Sequence, residues 1–232
     1  MRWAEACVVA ALACAGAAPA AEAAGNEVPI LTYHRVGSSP GFAKQVAALD
    51  REGYEAITLG RVGQAWRGEA GLPRRPVVLT FDDGYLSQYR TAGRTLRSRG
   101  WPGVLNLQVD RLGVAGGLTR AQVRRLIGDG WELDSHTLTH PDLTEVGRER
   151  LVRELVGSRE AIMREFGVTT NFFCFPYGHY DAAVKAAVRR AGYLAATTTR
   201  RGLASPHGDR FALPRISVSA RTKPAALLRR LR

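Results

Sequence analysis

Two adjacent carboxylates, Asp82 and Asp83, close an apolar segment at residues 77–79 and are followed by Gly84. Like charges this close together raise the pKa of one carboxyl group and require a compensating cation. Such a pair is therefore typical of a place where a metal ion binds or a proton is transferred. A solvated turn is the alternative for two aspartates taken alone.

Two histidines, His136 and His140, follow a second strand-like segment at 131–135. Two imidazoles and one carboxylate bind a divalent ion and leave positions open for water and substrate, which is the arrangement of a catalytic metal site. We interpret Asp83 as the carboxylate ligand and Asp82 as a general base. A bound ion would lower the pKa of a water to about 7, so that Asp82 takes its proton at neutral pH. One face of a helix is the alternative for two histidines at this spacing.

A third motif occupies residues 172–178, where an apolar run ends in Pro176, Tyr177 and Gly178. Proline fixes φ, and glycine allows the backbone to approach a neighbouring group closely. These residues predict a strand that ends in a turn of fixed geometry.

The motifs TFDDG, HTLTH and FPYG, in this order and at these separations, resemble those of the polysaccharide deacetylases of carbohydrate esterase family four, which share the NodB homology domain. The resemblance extends from Val28 to about Val218. It implies a distorted (β/α) barrel of about seven strands, fewer than in a regular barrel of this type, with the site at the carboxyl ends of the strands. The opening VPILTYHRV and the ending LPRI are most similar to the branch that acts on poly-N-acetylglucosamine.

The resemblance also implies a role for each motif residue. Asp82 corresponds to the general base. The backbone N–H of Tyr177, between Pro176 and Gly178, corresponds to the donor that stabilises the oxyanion, a contribution of roughly 3 kcal/mol in such enzymes. Packing at the rim of the barrel is the alternative for the Tyr177 ring. The implied metal ligands are Asp83, His136 and His140.

Cys174 departs from the family pattern, because many relatives have an arginine there that orients the base. We expect Arg215, on a late strand, to replace it by placing a guanidinium beside Asp82, where a cation would keep the base ionised. The alternative is that Arg215 is one more surface arginine. Cys174 itself is expected to behave as a small apolar residue, with a ligand role as the weaker alternative.

The proton donor to the leaving amine is not evident, because the leucine-x-histidine motif of many relatives is absent from the sequence. His34 follows a predicted strand at 30–33 and should reach the same face of the barrel, so it is the best candidate for acid or substrate contact. A buried histidine with satisfied hydrogen bonds is the alternative. His179 directly follows the third motif and is expected to line the cleft. His207 lies among turn-forming residues and is the weakest candidate.

Residues 1–24 are predicted to be a signal peptide, because an apolar run too short for a membrane span is followed by small residues. Residues 25–232 then form one catalytic domain, exported to the periplasm, the cell envelope or the exterior. A lipid anchor at Cys14 is the less favoured alternative. Removal of the leader takes away Cys7 and Cys14 and leaves Cys174 alone, so no internal disulfide is expected.

The net charge of +12, from 33 basic and 21 acidic residues, predicts attraction to anionic polymers of the envelope. Nucleic acid is not expected as a partner, because no nucleic-acid-binding module is recognisable and the basic residues are scattered through predicted helices. The expected partner is an acetylated glycan, and the protein is expected to be a monomer.

Apolar patterns alternate along the chain between strands and helices, as in an α/β fold. Thr144 is predicted to cap a long helix that ends at Gly167. The predicted strands lie near 28–33, 56–59, 77–79, 103–109, 131–135, 172–175, 194–197 and around Arg215. The other predicted helices lie near 43–52, 87–98, 118–127, 182–191 and in the basic tail at 223–232.

The sequence thus predicts a metal-dependent hydrolase that removes N-acetyl groups from a carbohydrate polymer, with zinc as the default ion and cobalt, nickel or iron as alternatives. Poly-N-acetylglucosamine is favoured as the polymer, and peptidoglycan, chitin oligomers and acetylated xylan stay open. Two other classes are compatible with the motifs. One is a carbohydrate-binding relative without activity, and the other is a metallohydrolase of small cyclic amides on the same barrel.

Overall fold

The computed structural model describes residues 27–37, 40–219 and 221–231. The predicted signal peptide, 1–24, lies outside the described residues. The strands are β1 Ile30–Tyr33, β2 Glu55–Ala56, β3 Pro76–Asp83, β4 Val104–Leu107, β5 Glu132–Ser135, β6 Phe172–Cys174, β7 Ala195–Thr197 and β8 Ile216–Ser217. The helices are α1 Gly41–Arg51, α2 Leu59–Trp66, α3 Arg94–Arg97, α4 Arg120–Gly128, α5 Arg148–Phe166, α6 Ala182–Arg190 and α7 Pro224–Arg229, and a π-helical segment, Gln88–Gly93, leads into α3.

The strands form one parallel sheet in the order β7-β6-β5-β4-β3-β1-β8, with β2 paired to the start of β3. The chain around β8 joins the two edges of this sheet. Leu213 N donates to Ala196 O beside β7 at 2.9 Å, and Val218 N donates to Thr32 O of β1 at 2.9 Å. This topology confirms the predicted distorted (β/α) barrel.

Alternate residues of each strand face either the helices or the interior of the barrel. On β3, Leu79 and Phe81 belong to the apolar cluster shared with the helices, whereas Val78 belongs to an interior cluster. Toward the amino ends of the strands this interior cluster includes Val28, Ile30, Val104, Phe172, Ala195 and Leu213. Toward the carboxyl ends of the strands the inward positions are polar. Burying these polar groups costs free energy, which the burial of the apolar side chains offsets at about 1.5–3 kcal/mol each.

The predicted cap of the long helix is wrong. α5 begins at Arg148, with Gly147 in the capping position, and ends at Gly167, whose φ of 70° gives the predicted stop. Thr144 instead belongs to a turn, because Asp142 Oδ1 accepts bonds from its backbone N–H at 3.0 Å and its hydroxyl at 2.7 Å. A local carboxylate thus competes with the helix for the threonine.

The predicted strand at 56–59 is also wrong beyond Ala56. Thr58 has an extended backbone, and its side chain accepts a hydrogen bond from Arg61 N at 3.1 Å, so it caps α2. The helix α2 was not predicted. Because a threonine is favoured both in strands and at helix caps, the same residue gives either signal.

Candidate functional site

Four non-glycine residues in the described part of the chain have a left-handed backbone, and all lie in the loops of the three motifs. Their φ values are 80° for Asp83, 69° for Thr137, 62° for His140 and 58° for Tyr177. Such conformations cost about 1–3 kcal/mol each and persist where the surrounding structure imposes them. Backbone strain is therefore concentrated at the carboxyl ends of β3, β5 and β6.

Three potential ligand atoms come together at this end of the barrel. Asp83 Oδ1 lies 3.6 Å from His136 Nε2 and 3.6 Å from His140 Nε2, and the two imidazole nitrogens are 3.1 Å apart. Ligands of a tetrahedral ion with bonds of about 2.1 Å are about 3.4 Å apart. The spacing therefore fits a divalent metal ion.

His136 is oriented by the backbone of the third motif. Its Nδ1 lies 2.8 Å from the carbonyl oxygen of Cys174, which can only accept, so Nδ1 carries the proton and Nε2 presents a lone pair toward Asp83. For His140, burial and then the neighbouring His136 lower the pKa. The Nε2 atoms of both rings face Asp83, and the lowered pKa of His140 favours the neutral imidazole that a metal ion binds.

The loop between the two histidines is anchored by Glu154, a carboxylate of α5 that is 3% exposed. Glu154 Oε2 accepts hydrogen bonds from the backbone N–H of Leu138 at 2.9 Å and of Thr139 at 3.0 Å. Its Oε1 accepts another from the Thr139 hydroxyl at 2.6 Å. One buried side chain thus fixes the backbone that presents His140.

Asp82 is buried, and two side chains hold its carboxylate. Arg215 Nη1 donates to Oδ1 and Nη2 donates to Oδ2, each at 2.9 Å, while Asn106 Nδ2 donates to Oδ1 at 2.7 Å. The guanidinium of Arg215 also donates to Thr80 Oγ1 at 3.0 Å and to Thr198 O at 2.8 Å. Arg215 therefore lies in the interior of the barrel beside Asp82 and not on the surface.

Opposing influences set the charge of Asp82. Burial alone would raise its pKa, but the charge and hydrogen bonds of Arg215, together with the nearby His136, hold the pKa well below its usual range. Asp82 in turn keeps the pKa of Arg215 above its ordinary value despite burial of the guanidinium. Asp82 is thus ionised at neutral pH and able to accept a proton.

Cys174 lies against this pair with its thiol buried. Its Sγ is 3.6 Å from Asp82 Oδ2, and burial raises the pKa of the thiol, which therefore stays protonated. Asp82, His136 and Cys174 form a second group of potential ligand atoms. A protonated thiol and an arginine-paired carboxylate are poor ligands, so Cys174 packs as a small apolar residue.

His34 reaches the same end of the barrel from β1. Its Nε2 is 3.9 Å from Asp82 Oδ2, and its side chain is 55% exposed. Gln88, which is fully buried, fixes both segments, because its Nε2 donates to His34 O at 3.0 Å and to Asp82 O at 2.5 Å. His34 is therefore beside Asp82 and open to a ligand.

The third motif ends in a turn at Pro176–Gly178. Gly178 has φ of 75°, and a Cβ there would lie 2.0 Å from Thr199 Oγ1, so only glycine fits. Pro176 is buried, whereas Tyr177 is 56% exposed with its ring centroid 4.7 Å from that of His140. The turn fixes the backbone of Tyr177 beside the ligand group, and the ring packs at the rim.

The two remaining histidines differ in position. His179 Nδ1 lies 2.5 Å from Asp142 Oδ2, and this contact, followed by bonds from Thr144, lowers the pKa of Asp142 to about 2. The centroid of the His179 ring is 5.9 Å from that of the Tyr177 ring, so His179 lies at the same rim of the barrel as Tyr177. His207 is exposed and lies outside the groups around Asp82 and Asp83.

The family model described as polysaccharide deacetylase matches residues 69–196, more than half of the chain. The chain belongs to the polysaccharide deacetylase family.

Relatives of this polysaccharide deacetylase include proteins of known structure or assigned activity. The peptidoglycan-N-acetylmuramic acid deacetylase PdaA of Bacillus subtilis (strain 168) is 28% identical over 204 residues, which are 83% of this chain and 69% of the relative. The poly-beta-1,6-N-acetyl-D-glucosamine N-deacetylase of Escherichia coli (strain K12) is 34% identical over 112 residues, 47% of this chain and only 16% of that protein. The Streptococcus pyogenes deacetylase PplD, solved in complex with acetate, superposes with a TM-score of 0.84 at 25% identity over 89% of this chain and 98% of its own.

Three buried polar residues of this polysaccharide deacetylase were not predicted: Asn106, Glu154 and Gln88. Asn106 interrupts an otherwise apolar strand, and Glu154 lies three residues after Leu151 on the apolar stripe of α5. A polar residue at a buried position requires a partner, which is the signal that could have found both. Gln88 gave no such signal, because it lies at the start of a predicted helix.

Proposed function

We propose that this polysaccharide deacetylase is a metal-dependent hydrolase that removes N-acetyl groups from a glycan polymer of the cell envelope. The proposal depends mainly on one observation. Asp82 is buried and held ionised by Arg215, and the next residue, Asp83, lies 3.6 Å from two imidazole nitrogens. Relatives named for poly-N-acetylglucosamine and for peptidoglycan support a glycan substrate.

Asp82 acts in this proposal as the general base. Its carboxylate accepts a proton from the water that attacks the acetyl carbonyl, a step that such bases accelerate by about 10²–10⁴. Arg215 and Asn106 aim the carboxylate and keep it ionised until the proton is transferred. Asp83 is directed to the two histidines and not to this position.

Asp83, His136 and His140 are proposed to hold the metal ion. When bound there, the ion polarises the acetyl carbonyl and lowers the pKa of a water molecule. Zinc is the proposed ion, with cobalt, nickel or iron as alternatives, because two imidazoles and a carboxylate discriminate weakly among these metals.

The remaining motif residues complete the reaction. The backbone N–H of Tyr177, fixed by Pro176 and Gly178, donates to the oxyanion that develops on the acetyl carbonyl, a contribution of about 3 kcal/mol. His34 delivers a proton to the departing nitrogen. The carbon–nitrogen bond of the amide breaks, and acetate and a free amino sugar are released.

Two substitutions test this assignment in mature protein that has been treated with chelator and then remetallated. Asp83→Ala should lose both the bound ion and activity, because one of three ligands is removed. Asp82→Asn should keep the ion and lose activity by about 10²–10⁴. Metal content and acetate release from a panel of acetylated glycans are the measurements.

Asp50→Asn, at an exposed carboxylate of α1, is the matched control and should change neither quantity. A normal rate for Asp82→Asn would refute its role as base. A carbohydrate-binding protein without activity would bind glycan and release no acetate, and a cyclic-amide hydrolase would open small cyclic amides instead.

The location and partners of the protein are proposed from the sequence. We propose export by means of the leader at 1–24, attraction of the basic protein to anionic envelope polymers, and a monomeric state. Within the described ranges, no helix has the length and apolar character needed to cross a membrane. Fractionation of cells that express the full chain, and light scattering of the purified protein, measure these properties.

A further inference from the structure

The aromatic ring of Tyr85 is in contact with two arginine side chains. The guanidinium carbon of Arg35 is 4.0 Å from the centroid of the Tyr85 ring, and that of Arg111 is 4.3 Å from the same centroid. We call these three residues the arginine clamp. Two like charges on one aromatic ring repel each other, although the ring attracts each of them. A negative group at this point would relieve the repulsion.

The arginine clamp borders the candidate site. Arg35 directly follows His34 after β1, Tyr85 comes two residues after Asp83 at the end of β3, and Arg111 lies in the turn that follows β4. Because β1, β3 and β4 are parallel neighbours, all three clamp residues lie at the carboxyl ends of the strands. The clamp therefore lies at the same end of the barrel as Asp82.

The backbone of the clamp is fixed by hydrogen bonds. Leu86 N donates to Gly116 O at 2.9 Å, and Leu118 N donates to Gly84 O at 3.0 Å, which ties the loop after Arg111 to both sides of Tyr85. On the other side, Val36 N donates to Ser87 Oγ at 3.1 Å. A preorganised backbone lowers the entropy that a ligand must remove on binding.

Gly117 shows how tightly this loop is packed. A Cβ at this glycine would lie 2.1 Å from the carbonyl oxygen of Arg111, so no larger residue fits without moving the clamp. The short distance places the loop directly against the backbone of Arg111. The packing of the loop therefore fixes the backbone position of Arg111.

Neither arginine of the clamp has an acidic partner within the described residues. The surface arginines Arg67, Arg97 and Arg120 each form an ion pair with a carboxylate, whereas no ion pair joins Arg35 or Arg111 to a described residue. The Nε of Arg111 is in addition buried, and no residue in the described ranges forms a hydrogen bond with it. Guanidinium groups match carboxylates in geometry and charge, and these two have donors to offer.

We infer that the arginine clamp binds a carboxylate carried by the substrate, so that the enzyme acts on acidic acetylated glycans in preference to neutral ones. This inference rests on the proposed deacetylase function and narrows its substrate class. A carboxylate of this kind occurs on the lactyl ether of muramic acid and on uronic acid residues. A polymer of N-acetylglucosamine alone offers no charge to the clamp.

The test compares substrates with and without the negative charge of a carboxylate. Glycan strands of alternating N-acetylglucosamine and N-acetylmuramic acid are supplied to the metal-loaded enzyme as free acids or as methyl esters, and an acetylated oligosaccharide with uronic acid residues forms another arm. We expect kcat/KM for acetate release to be about tenfold higher for the free acid than for the ester. The preference should decrease as salt is added, because exposed charges are screened. The uronic arm shows whether the position of the carboxylate matters.

The variants locate the effect at the clamp. The double variant Arg35→Gln, Arg111→Gln should bring the ratio of kcat/KM for the free acid to that for the ester close to one. Arg51→Gln, at an exposed arginine at the end of α1, is the matched control and should keep the wild-type ratio. Thermal unfolding verifies that the variants are folded.

The possible failures are distinguishable. Equal rates of wild-type enzyme on the free acid and the ester would overturn the clamp proposal while leaving deacetylation intact, and this comparison needs no variant. A charge preference that persists in the double variant would also overturn it. If the wild-type enzyme releases no acetate from any glycan, the proposed function itself is wrong.

Discussion

Two acidic clusters lie inside the barrel, two strands apart: Asp82 on β3, and Glu132 with Asp134 on β5. Their surroundings have opposite effects on the pKa of the carboxyl groups. Asp82 on β3 is paired with the guanidinium of Arg215, which holds its pKa well below the usual range. Glu132 and Asp134 on β5 have no cationic partner among the described residues, and burial raises the pKa of each, with Glu132 raising that of Asp134 further. Asp82 is therefore ionised at neutral pH, whereas the surroundings of Glu132 and Asp134 favour the protonated form.

The difference shows that burial alone does not make a base. A buried carboxyl group is neutral unless a cation or several donors stabilise its charge. Glu132 Oε2 accepts a bond from Gly60 N at 2.8 Å, and Asp134 Oδ1 accepts one from Phe172 N at 3.2 Å, so this pair connects β5 to α2 and β6. Glu132 Oε1 and Asp134 Oδ2 have no donor unless a proton is shared between the two groups. The pair therefore connects elements of the barrel, whereas Asp82 is the residue that we propose as the general base.

Removing the cation should have the largest effect. Arg215→Met leaves Asp82 buried without its partner, so the pKa of the carboxyl group should rise and the base should become protonated at neutral pH. We expect kcat to fall by about a hundredfold and the free energy of unfolding to fall by about 3–5 kcal/mol. The acidic limb of the pH–rate profile should move to higher pH. Acetate release across pH and urea unfolding measure the two effects.

Arg215→Lys is the matched variant for this prediction. It keeps a positive charge but cannot make the two parallel bonds to Asp82, so its loss should be smaller than that of Arg215→Met. If Arg215→Met keeps the wild-type pH–rate profile, the arginine does not control the charge of Asp82. If the two variants lose activity equally, geometry matters more than charge.

The two clusters also differ in how far the sequence predicts them. Asp82 and Asp83 are adjacent in one motif, so their proximity follows from local order. The cysteine at 174 predicts that Arg215 replaces the usual arginine, and the guanidinium of Arg215 does lie beside Asp82. The role of Arg215 stays a prediction. The pairing of Glu132 with Asp134 was not predicted, because their inward direction depends on the closure of the barrel.

Residues aligned by sheet register were the hardest to predict. Asn106 lies opposite Asp82 on one side and opposite Asp134 on the other, a relation that appears only once β3, β4 and β5 are paired. The start of α5 was predicted wrongly for a related reason, since the Thr144 hydroxyl donates to Asp142 Oδ1 instead of capping the helix. Periodic patterns predict that an element exists, whereas its partners and ends depend on contacts distant in sequence.

The raised pKa values of Glu132 and Asp134 can be tested through the pH dependence of stability. A carboxyl group whose pKa is raised by folding binds its proton more tightly in the folded state. The free energy of unfolding therefore falls as pH rises from the unfolded pKa, about 4, toward the folded pKa. Glu132→Gln cannot ionise and supplies an N–H donor, so it should be close to wild type at pH 4 and more stable by about 1–2 kcal/mol at pH 8.

Denaturant unfolding of wild type and Glu132→Gln from pH 4 to pH 8 measures this difference. Asp82 should behave in the opposite way, since a lowered pKa adds stability above the unfolded pKa that is lost as pH falls through the folded one. A difference between wild type and Glu132→Gln that stays constant with pH would show that Glu132 is ionised in the folded protein. Glu132 would then carry a negative charge, as Asp82 does.

The smallest effect is expected at Asn106, the residue between the clusters. Its Nδ2 donates to Asp82 Oδ1 at 2.7 Å, so Asn106→Ala removes one bond to the ionised carboxylate and leaves the pair with Arg215 in place. We expect kcat to fall by about tenfold, with KM and metal content unchanged, because a hydrogen bond to a charged group is worth about 1.5–3 kcal/mol. The acidic limb of the pH–rate profile should move upward by less than in Arg215→Met.

Thr32→Val is the matched control for Asn106→Ala. Thr32 is also buried on a barrel strand, but its hydroxyl has no hydrogen-bond partner in the part of the chain that the structure describes. Its removal should therefore leave kcat and the pH–rate profile unchanged. A loss of kcat in Asn106→Ala without a change in the pH–rate profile would mean that the amide fills space rather than holding the charge of Asp82. A loss of kcat that is largest in Arg215→Met, smaller in Asn106→Ala and absent in Thr32→Val would instead follow the number of hydrogen-bond donors removed from the Asp82 carboxylate. Those donors are what distinguishes Asp82 from Glu132 and Asp134.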